Sequence, residues 1–234
     1  MNVGGLLPFT MIDFPGKLSA VVFTQGCALR CPYCHNPELQ NPAIQTDVSW
    51  EQVIDLLKQR QKLLDGVVFS GGEPLLQPDI KQAIEQVHGL GFAVALHTSG
   101  VYPDKLEDIL HLVDWIGLDI KAPFDKYHIA SGTAETFEMG KRAEQSLELI
   151  LKAGKSMEVR TTTDPRVISK SDILELAKVL SGKGVQSYAL QEYRPLNDGR
   201  LEEPSTEEIK SFYNDLEFEK ELKSLFIDFT LRKA

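Results

Sequence analysis

The feature that most constrains the fold is a repeated alternation of short apolar runs and amphipathic segments. Six runs have the length and residue types of buried strands, and Gly, Pro or Asp bounds each one. They span residues 20–24, 67–70, 93–97, 115–120, 156–162 and 186–192. Helical patterns cover 79–88, 103–112, 137–153, 171–180 and 206–218, and the capping-box form Ser49-x-x-Gln52 predicts one more helix after the first strand.

This alternation predicts an α/β fold with a parallel sheet and the helices outside it. About six strand–helix units are fewer than the eight of a closed β/α barrel. We therefore expect a partial, open barrel or a strongly curved doubly wound sheet. The chain lacks a Ser/Gly-rich linker, so we expect one domain over residues 1–234, with about 200–234 as a C-terminal helical extension.

Charge and hydropathy argue against several partners. The net charge is −9 and basic clusters are lacking, so we expect no nucleic-acid partner. The sequence has neither a signal-peptide pattern nor a long apolar run, so we expect a cytoplasmic protein that does not enter a membrane. Disulfides are rare in that reducing compartment, which favours ligand or catalytic roles for the cysteines.

All three cysteines lie in the loop CALRCPYCHNP, residues 27–37. Cys31-x-x-Cys34 has the form of a dithiol redox motif, and with His35 it has the spacing of a c-type haem attachment. Both interpretations leave Cys27 unexplained. A zinc site of Cys27, Cys31, Cys34 and His35 is chemically possible, but ligands at adjacent positions rarely both point inward. The thiols could also be unrelated core residues, or three ligands of a four-iron cluster with one iron open to a cofactor.

Polar residues follow the predicted strands at their carboxyl ends. Parallel strands place these ends at one edge of the sheet, where α/β folds bind their ligands. We therefore expect one shared site. Its candidate members, in chain order, are Cys27, Gly71, Gly72, Glu73, Ser99, Asp119, Lys121, Arg160 and residues 191–194.

The cysteine loop resembles the cluster loop of the radical S-adenosylmethionine superfamily. Its His-Asn-Pro ending resembles the glycyl-radical-enzyme activases, which include activating proteins of pyruvate formate-lyase and of anaerobic ribonucleoside-triphosphate reductase. Other matches extend the resemblance from about residue 13 to residue 195. They are Asp13-Phe-Pro-Gly, Gly71-Gly-Glu-Pro, Asp119-Ile-Lys, Arg160 and Gln191-x-x-Arg-Pro.

The resemblance implies an oxidoreductase that holds a [4Fe-4S] cluster and S-adenosylmethionine. In this superfamily an electron from the cluster cleaves the cofactor to methionine and a 5′-deoxyadenosyl radical. An activase then abstracts hydrogen from a backbone glycine of a glycyl-radical enzyme, here expected to be an anaerobic ribonucleoside-triphosphate reductase. The implied electron donor is a protein such as flavodoxin or ferredoxin.

The resemblance also implies a role for each matched residue. Cys27, Cys31 and Cys34 would bind the cluster, and Glu73 would accept a hydrogen bond from the cofactor amino group. The other cofactor-binding candidates are Tyr33 near adenine, His35, Gly71, Gly72, Ser99, Asp119, and the basic Lys121 and Arg160 near the cofactor carboxylate. Simpler interpretations stay open: Tyr33 as a loop anchor, His35 as a capping residue, and Lys121 and Arg160 as solvated charges.

Two departures from the resemblance bear on the target. Pyruvate formate-lyase activases have an acidic residue that helps bind a monovalent cation where this chain has His97, and a cofactor-contacting histidine where it has residues 191–194. These differences argue against that cation site and against pyruvate formate-lyase as the target. The alternatives are a radical enzyme acting on a small molecule, similar to a queuosine-precursor synthase, and a non-catalytic metal-binding module.

Overall fold

One sheet contains all eight strands found in residues 1–195 and 204–233, the part of the chain that the computed structural model describes. The strands are β1 (Val3–Thr10), β2 (Ser19–Thr24), β3 (Gly66–Gly71), β4 (Ala93–Thr98), β5 (Trp115–Asp119), β6 (Ser156–Thr163), β7 (Ser187–Glu192) and β8 (Asp228–Arg232). Their order in the sheet is their order in the chain. β1 runs antiparallel to β2, and every later neighbour pairs in parallel.

Helices connect the parallel strands and begin at capped residues where the sequence provides them. They are α1 (Trp50–Arg60), α2 (Ile80–Gly89), α3 (Pro103–Ile109), α4 (Tyr127–Ser131), α5 (Met139–Lys152), α6 (Lys170–Gly182), α7 (Thr206–Tyr213) and α8 (Leu216–Leu225). The predicted capping box of Ser49 and Gln52 opens α1. Equivalent boxes at Ser169 and Ser205 open α6 and α7.

The predicted fold class is confirmed, but the number of strands is larger than expected. The six predicted strands correspond to β2–β7. β1 and β8 were not predicted and lie at the two edges of the sheet, and among the described residues they do not pair with each other. The barrel is therefore open along one side, between these two edges.

The C-terminal region differs from its prediction. The single helix expected over 206–218 is two helices, because Asp215 accepts a hydrogen bond from the Phe218 amide and starts α8 as its N-cap. The segment expected to be a helical extension also contains β8. Its first residues, up to residue 203, lie outside the described part of the chain.

The two faces of the sheet bury different clusters. Residues such as Val67 and Phe69 pack outward against the helices. Their neighbour Val68 points the other way, into a small apolar cluster with Phe14, Val21, Ala95 and Trp115. This inner cluster fills the barrel between the strands and leaves the polar carboxyl ends above it. Within the described residues, no helix has the length and hydropathy needed to cross a membrane.

Candidate functional site

A cavity of about 190 Å³ lies at the carboxyl ends of the central strands, and we call it the cysteine cavity. Glu73, Arg160 and residues 191–194 do not line it, and all the other predicted site residues do. Those residues are Cys27, Cys31, Tyr33, Cys34, His35, Gly71, Gly72, Ser99, Asp119 and Lys121. The structure therefore brings together residues from four different loops, as the shared edge of the sheet predicts.

The Gly71-Gly72 pair holds the cysteine loop against the sheet. The Gly72 amide donates to the Thr24 carbonyl at 2.9 Å, and the Glu73 amide donates to the Gly26 carbonyl at 2.8 Å. Gly71 has a φ of 107°, and a Cβ on Gly72 would lie 2.2 Å from the Gly26 oxygen. Only glycine permits this approach, so the pair fixes the position of the loop that carries Cys27.

The three cysteines form no disulfide in the described part of the chain; Cys31 is buried, and Cys27 and Cys34 are half-buried. Burial, followed by the nearby Glu73 carboxylate, raises the pKa of Cys27 to about 12, and burial also raises the pKa of Cys31. Without a bound cation both are therefore neutral thiols. A metal cluster would supply the positive charge that stabilises them as thiolates.

Lys121 and Tyr33 place two polar groups at this cavity. The Lys121 ammonium donates to no described residue, and burial opposes its charge, but neighbouring Cys31, Tyr33 and Asp119 raise its pKa well above the ordinary value. The Tyr33 hydroxyl is buried, at 4% exposure of the residue, and has no described hydrogen-bond partner. Buried polar groups without partners are rare, so the Tyr33 hydroxyl indicates a missing ligand.

The donor set fits an iron–sulfur cluster better than a single metal ion. Within residues 1–195 and 204–233, no group of three or more His, Cys, Asp or Glu side chains is arranged to hold one ion. A cubane needs no such convergence, because each thiolate binds a different iron. The Lys121 ammonium would offset the negative charge of the cluster and its thiolates in the same cavity.

Glu73 lies behind the cavity wall. The residue is 1% exposed, and both carboxylate oxygens accept hydrogen bonds from the end of β4. Oε1 accepts from the Thr98 hydroxyl at 2.7 Å and the Leu75 amide at 3.1 Å, and Oε2 accepts from the Ser99 amide at 2.9 Å and its hydroxyl at 2.5 Å. Its carboxylate therefore joins the loops after β3 and β4, a contact that sequence reasoning did not predict.

Arg160 also lies apart from the thiols, in a buried polar array. Its Nε donates to Glu158 at 2.7 Å, and its guanidinium lies 5.1 Å from the Trp115 ring. Arg232 of β8 donates to both oxygens of the same Glu158 at 2.8 Å. Glu158 and Arg232 were missed as candidates. The spacing of Glu158, Arg160 and Thr162 along a predicted strand was the available signal, because alternate strand residues share one face.

His97 borders both Arg160 and the loop after β1. Its Nε2 lies 2.8 Å from the Asp13 carbonyl, so Nε2 carries the proton, and Nδ1 accepts from Arg160 at 3.3 Å. Burial, together with the Arg160 charge, lowers the pKa of His97 to about 3. The imidazole is neutral at physiological pH.

A second cavity of about 560 Å³ adjoins the first, and we call it the lateral cavity. His35 and Thr162 line both cavities. The lateral cavity lies between the loop after β1 and the ends of β7 and β8, which is the open side of the barrel. Its other lining residues are Ile12, Asp13, Pro15, Arg160, Gln191, Glu192, Arg194, Arg232 and Lys233.

Comparison with known proteins agrees with this geometry. The sequence-family model of the radical SAM superfamily, in which SAM stands for S-adenosylmethionine, matches residues 21–180. A candidate glycyl-radical enzyme activating enzyme of Methanocaldococcus jannaschii is 33% identical over 199 residues, 82% of this chain and 80% of that relative. The pyruvate formate-lyase-activating enzyme of Clostridium pasteurianum is 33% identical over 205 residues, 82% of each chain.

A solved structure shows the same fold at low identity. Streptococcus suis SuiB, crystallised with S-adenosylmethionine, superposes with a TM-score of 0.64 at 14% identity over 90% of this chain. The match spans about half of SuiB, 48% of its length. From the family match and its two relatives, the chain belongs to the radical SAM superfamily, within the group of glycyl-radical enzyme activating enzymes.

Proposed function

We propose that this enzyme activates an anaerobic ribonucleoside-triphosphate reductase by abstracting a hydrogen atom from one of its backbone glycines. The observation that carries the proposal is the cysteine cavity, in which the three cysteine thiols and Lys121 meet beside the open side of the barrel. A protein segment can approach a radical site through such an opening. The absence of histidine among residues 191–194 favours the reductase over pyruvate formate-lyase.

The cofactors of the family are a [4Fe-4S] cluster and S-adenosylmethionine, which together supply a 5′-deoxyadenosyl radical by reductive cleavage. Cys27, Cys31 and Cys34 would hold the cluster as thiolates. The Lys121 ammonium would neutralise an anionic group of the cofactor, such as its carboxylate. The buried Tyr33 hydroxyl would hydrogen-bond a polar group of the same ligand, and its ring would exclude water from the site.

The remaining residues of the site position these groups. Gly71 and Gly72 hold the cysteine loop, while Glu73 fixes Ser99 at the cavity wall. We assign the reaction to the cytoplasm, where the three cysteine thiols stay reduced and where a flavodoxin or ferredoxin can donate the electron.

The test is radical transfer between whole proteins. The protein is reconstituted with iron and sulfide, reduced, and mixed anaerobically with S-adenosylmethionine and an anaerobic ribonucleoside-triphosphate reductase. Electron paramagnetic resonance should then show a glycyl radical on the reductase, and Cys31→Ala should give none.

The target assignment has its own control. Pyruvate formate-lyase replaces the reductase in a parallel reaction. A glycyl radical on pyruvate formate-lyase but not on the reductase would refute the proposed target.

A further inference from the structure

The lateral cavity concentrates positive charge in a chain that is negative as a whole. Four basic side chains line it, those of Arg160, Arg194, Arg232 and Lys233, against the acidic Asp13 and Glu192. The net charge of the protein is −9. A basic cavity within an acidic molecule attracts anions selectively, because its local field opposes that of the surrounding surface.

Two of these arginines, Arg160 and Arg232, share a single counter-ion. Arg160 is 8% exposed and gives Nε to Glu158, and Arg232 gives Nη2 to the same carboxylate. Two positive charges therefore face one negative charge. The third neighbour, His97, is a neutral acceptor and adds no charge.

Both guanidinium groups keep donors available toward the cavity. In the described part of the chain, no residue accepts from Nη2 of Arg160 or from Nε and Nη1 of Arg232. Buried or half-buried guanidinium groups normally satisfy these donors, and a carboxylate does so with matching planar geometry. One further carboxylate would also balance the charge of the array.

We propose that the lateral cavity binds a carboxylate side chain of the protein segment that donates the hydrogen atom, with Arg160 and Arg232 as its ligands. This inference rests on the proposed function, because it takes the hydrogen donor to be a protein. The cavity adjoins the cysteine cavity at His35 and Thr162, so a segment that enters from the open side would pass the arginines before it reaches the thiols. The pair would thus select segments with an acidic residue near the reactive glycine.

The test measures binding to the full-length, cluster-reconstituted protein with S-adenosylmethionine by anaerobic titration calorimetry. The probes are eight-residue peptides of alanine and serine with one central glycine, in which a single glutamate occupies each other position in turn. Each has a matched peptide with glutamine in place of glutamate. At least one glutamate peptide should bind about tenfold more tightly than its glutamine match, as expected for one charge-assisted pair.

Three variants test which residues cause the preference for glutamate peptides. Arg232→Gln should abolish the preference for glutamate over glutamine. Arg194 is exposed and supports no described contact, so Arg194→Gln should reduce the preference without changing the fold. Lys62→Gln is the matched control, since Lys62 is exposed on the α1–β3 connection, at the opposite end of the sheet. Its preference should equal that of the unmodified protein.

Several results would overturn the inference. One is equal binding of the glutamate and glutamine peptides in every pair, and another is a glutamate preference that survives Arg232→Gln. A third is Arg232-dependent binding of glutarate when no peptide binds, because this result would assign the cavity to a small molecule. Failure of the proposed function is separate. A glutamate preference without any glycyl radical in the whole-protein test would leave the carboxylate site standing and refute the activase target.

Discussion

Glu73 shows how much of the site depends on one buried carboxylate. Its two oxygens accept hydrogen bonds from three residues on two loops. Sequence reasoning placed Glu73 in the site but not in this role, because its partners Thr98 and Ser99 meet it only through the pairing of β3 with β4.

Glu73→Gln should destabilise the protein by about 1–3 kcal/mol, because the amide NH₂ group would face the Ser99 N–H and leave that donor unsatisfied. Urea unfolding of the cluster-free protein measures the change. Glu85→Gln, on the exposed face of α2, is the control and should change stability by less than about 0.5 kcal/mol. Equal stability of the two variants would show that the Glu73 contacts add nothing.

His97 gives a prediction for the pH dependence of stability. Its pKa is about 3 when folded and near its ordinary 6.5 when unfolded, so between these values the unfolded chain binds the extra proton. Stability should therefore fall as pH decreases from 6.5 toward 3, by up to about 4 kcal/mol from this residue. His97→Gln should make the curve of unfolding free energy against pH flatter in this window, whereas a parallel shift of the whole curve would contradict the assignment.

At the scale of elements, the carboxyl ends of β2 and β3 act as one unit with the cysteine loop. The backbone bonds of Gly72 and Glu73 to Thr24 and Gly26 make the loop an extension of the sheet. The glycine motif therefore holds the loop in place as well as lining the cysteine cavity.

Gly72→Ala should impair cluster assembly, because the new methyl group would lie 2.2 Å from the Gly26 oxygen and push the cysteine loop away. Iron and sulfide content after reconstitution, followed by the visible absorbance of the cluster, measures this. Gly89→Ala is the matched control at the end of α2, where an added Cβ meets nothing within 4 Å. If both variants assemble the cluster equally well, the close approach is not required.

The strands also show which elements of the fold the sequence pattern predicts and which it does not. The apolar runs of β2–β5 could be identified because strands buried on both faces are mostly continuous in hydrophobicity. β1 contains Gly4, Gly5 and Pro8, which suit an edge strand but weaken the strand pattern. β8 follows two helices, and no strand was predicted there because the whole C-terminal segment was expected to be helical. The Arg232–Glu158 contact depends on β8 and was therefore out of reach.

At the scale of the whole molecule, cofactor binding should be coupled to stability. The cysteines come from a loop that crosses the mouth of the barrel, so a cluster would bind the folded protein only. We expect anaerobic reconstitution to raise the thermal unfolding midpoint by several degrees and to allow S-adenosylmethionine to be cleaved to 5′-deoxyadenosine.

Cys31→Ala is the control for this coupling. It should show neither the thermal shift nor 5′-deoxyadenosine formation. A thermal shift of equal size in the variant would indicate iron bound elsewhere.

The gap between β1 and β8 affects the speed of the reaction as well as its geometry. Among the described strands no ladder closes this side, so the segment in our proposal would itself cover the gap. A folded target can cover it only while the segment is released from its own structure. We therefore expect the rate of activation to decrease as the free energy of local opening of the target increases. Local opening of the partner would then limit the rate of this enzyme.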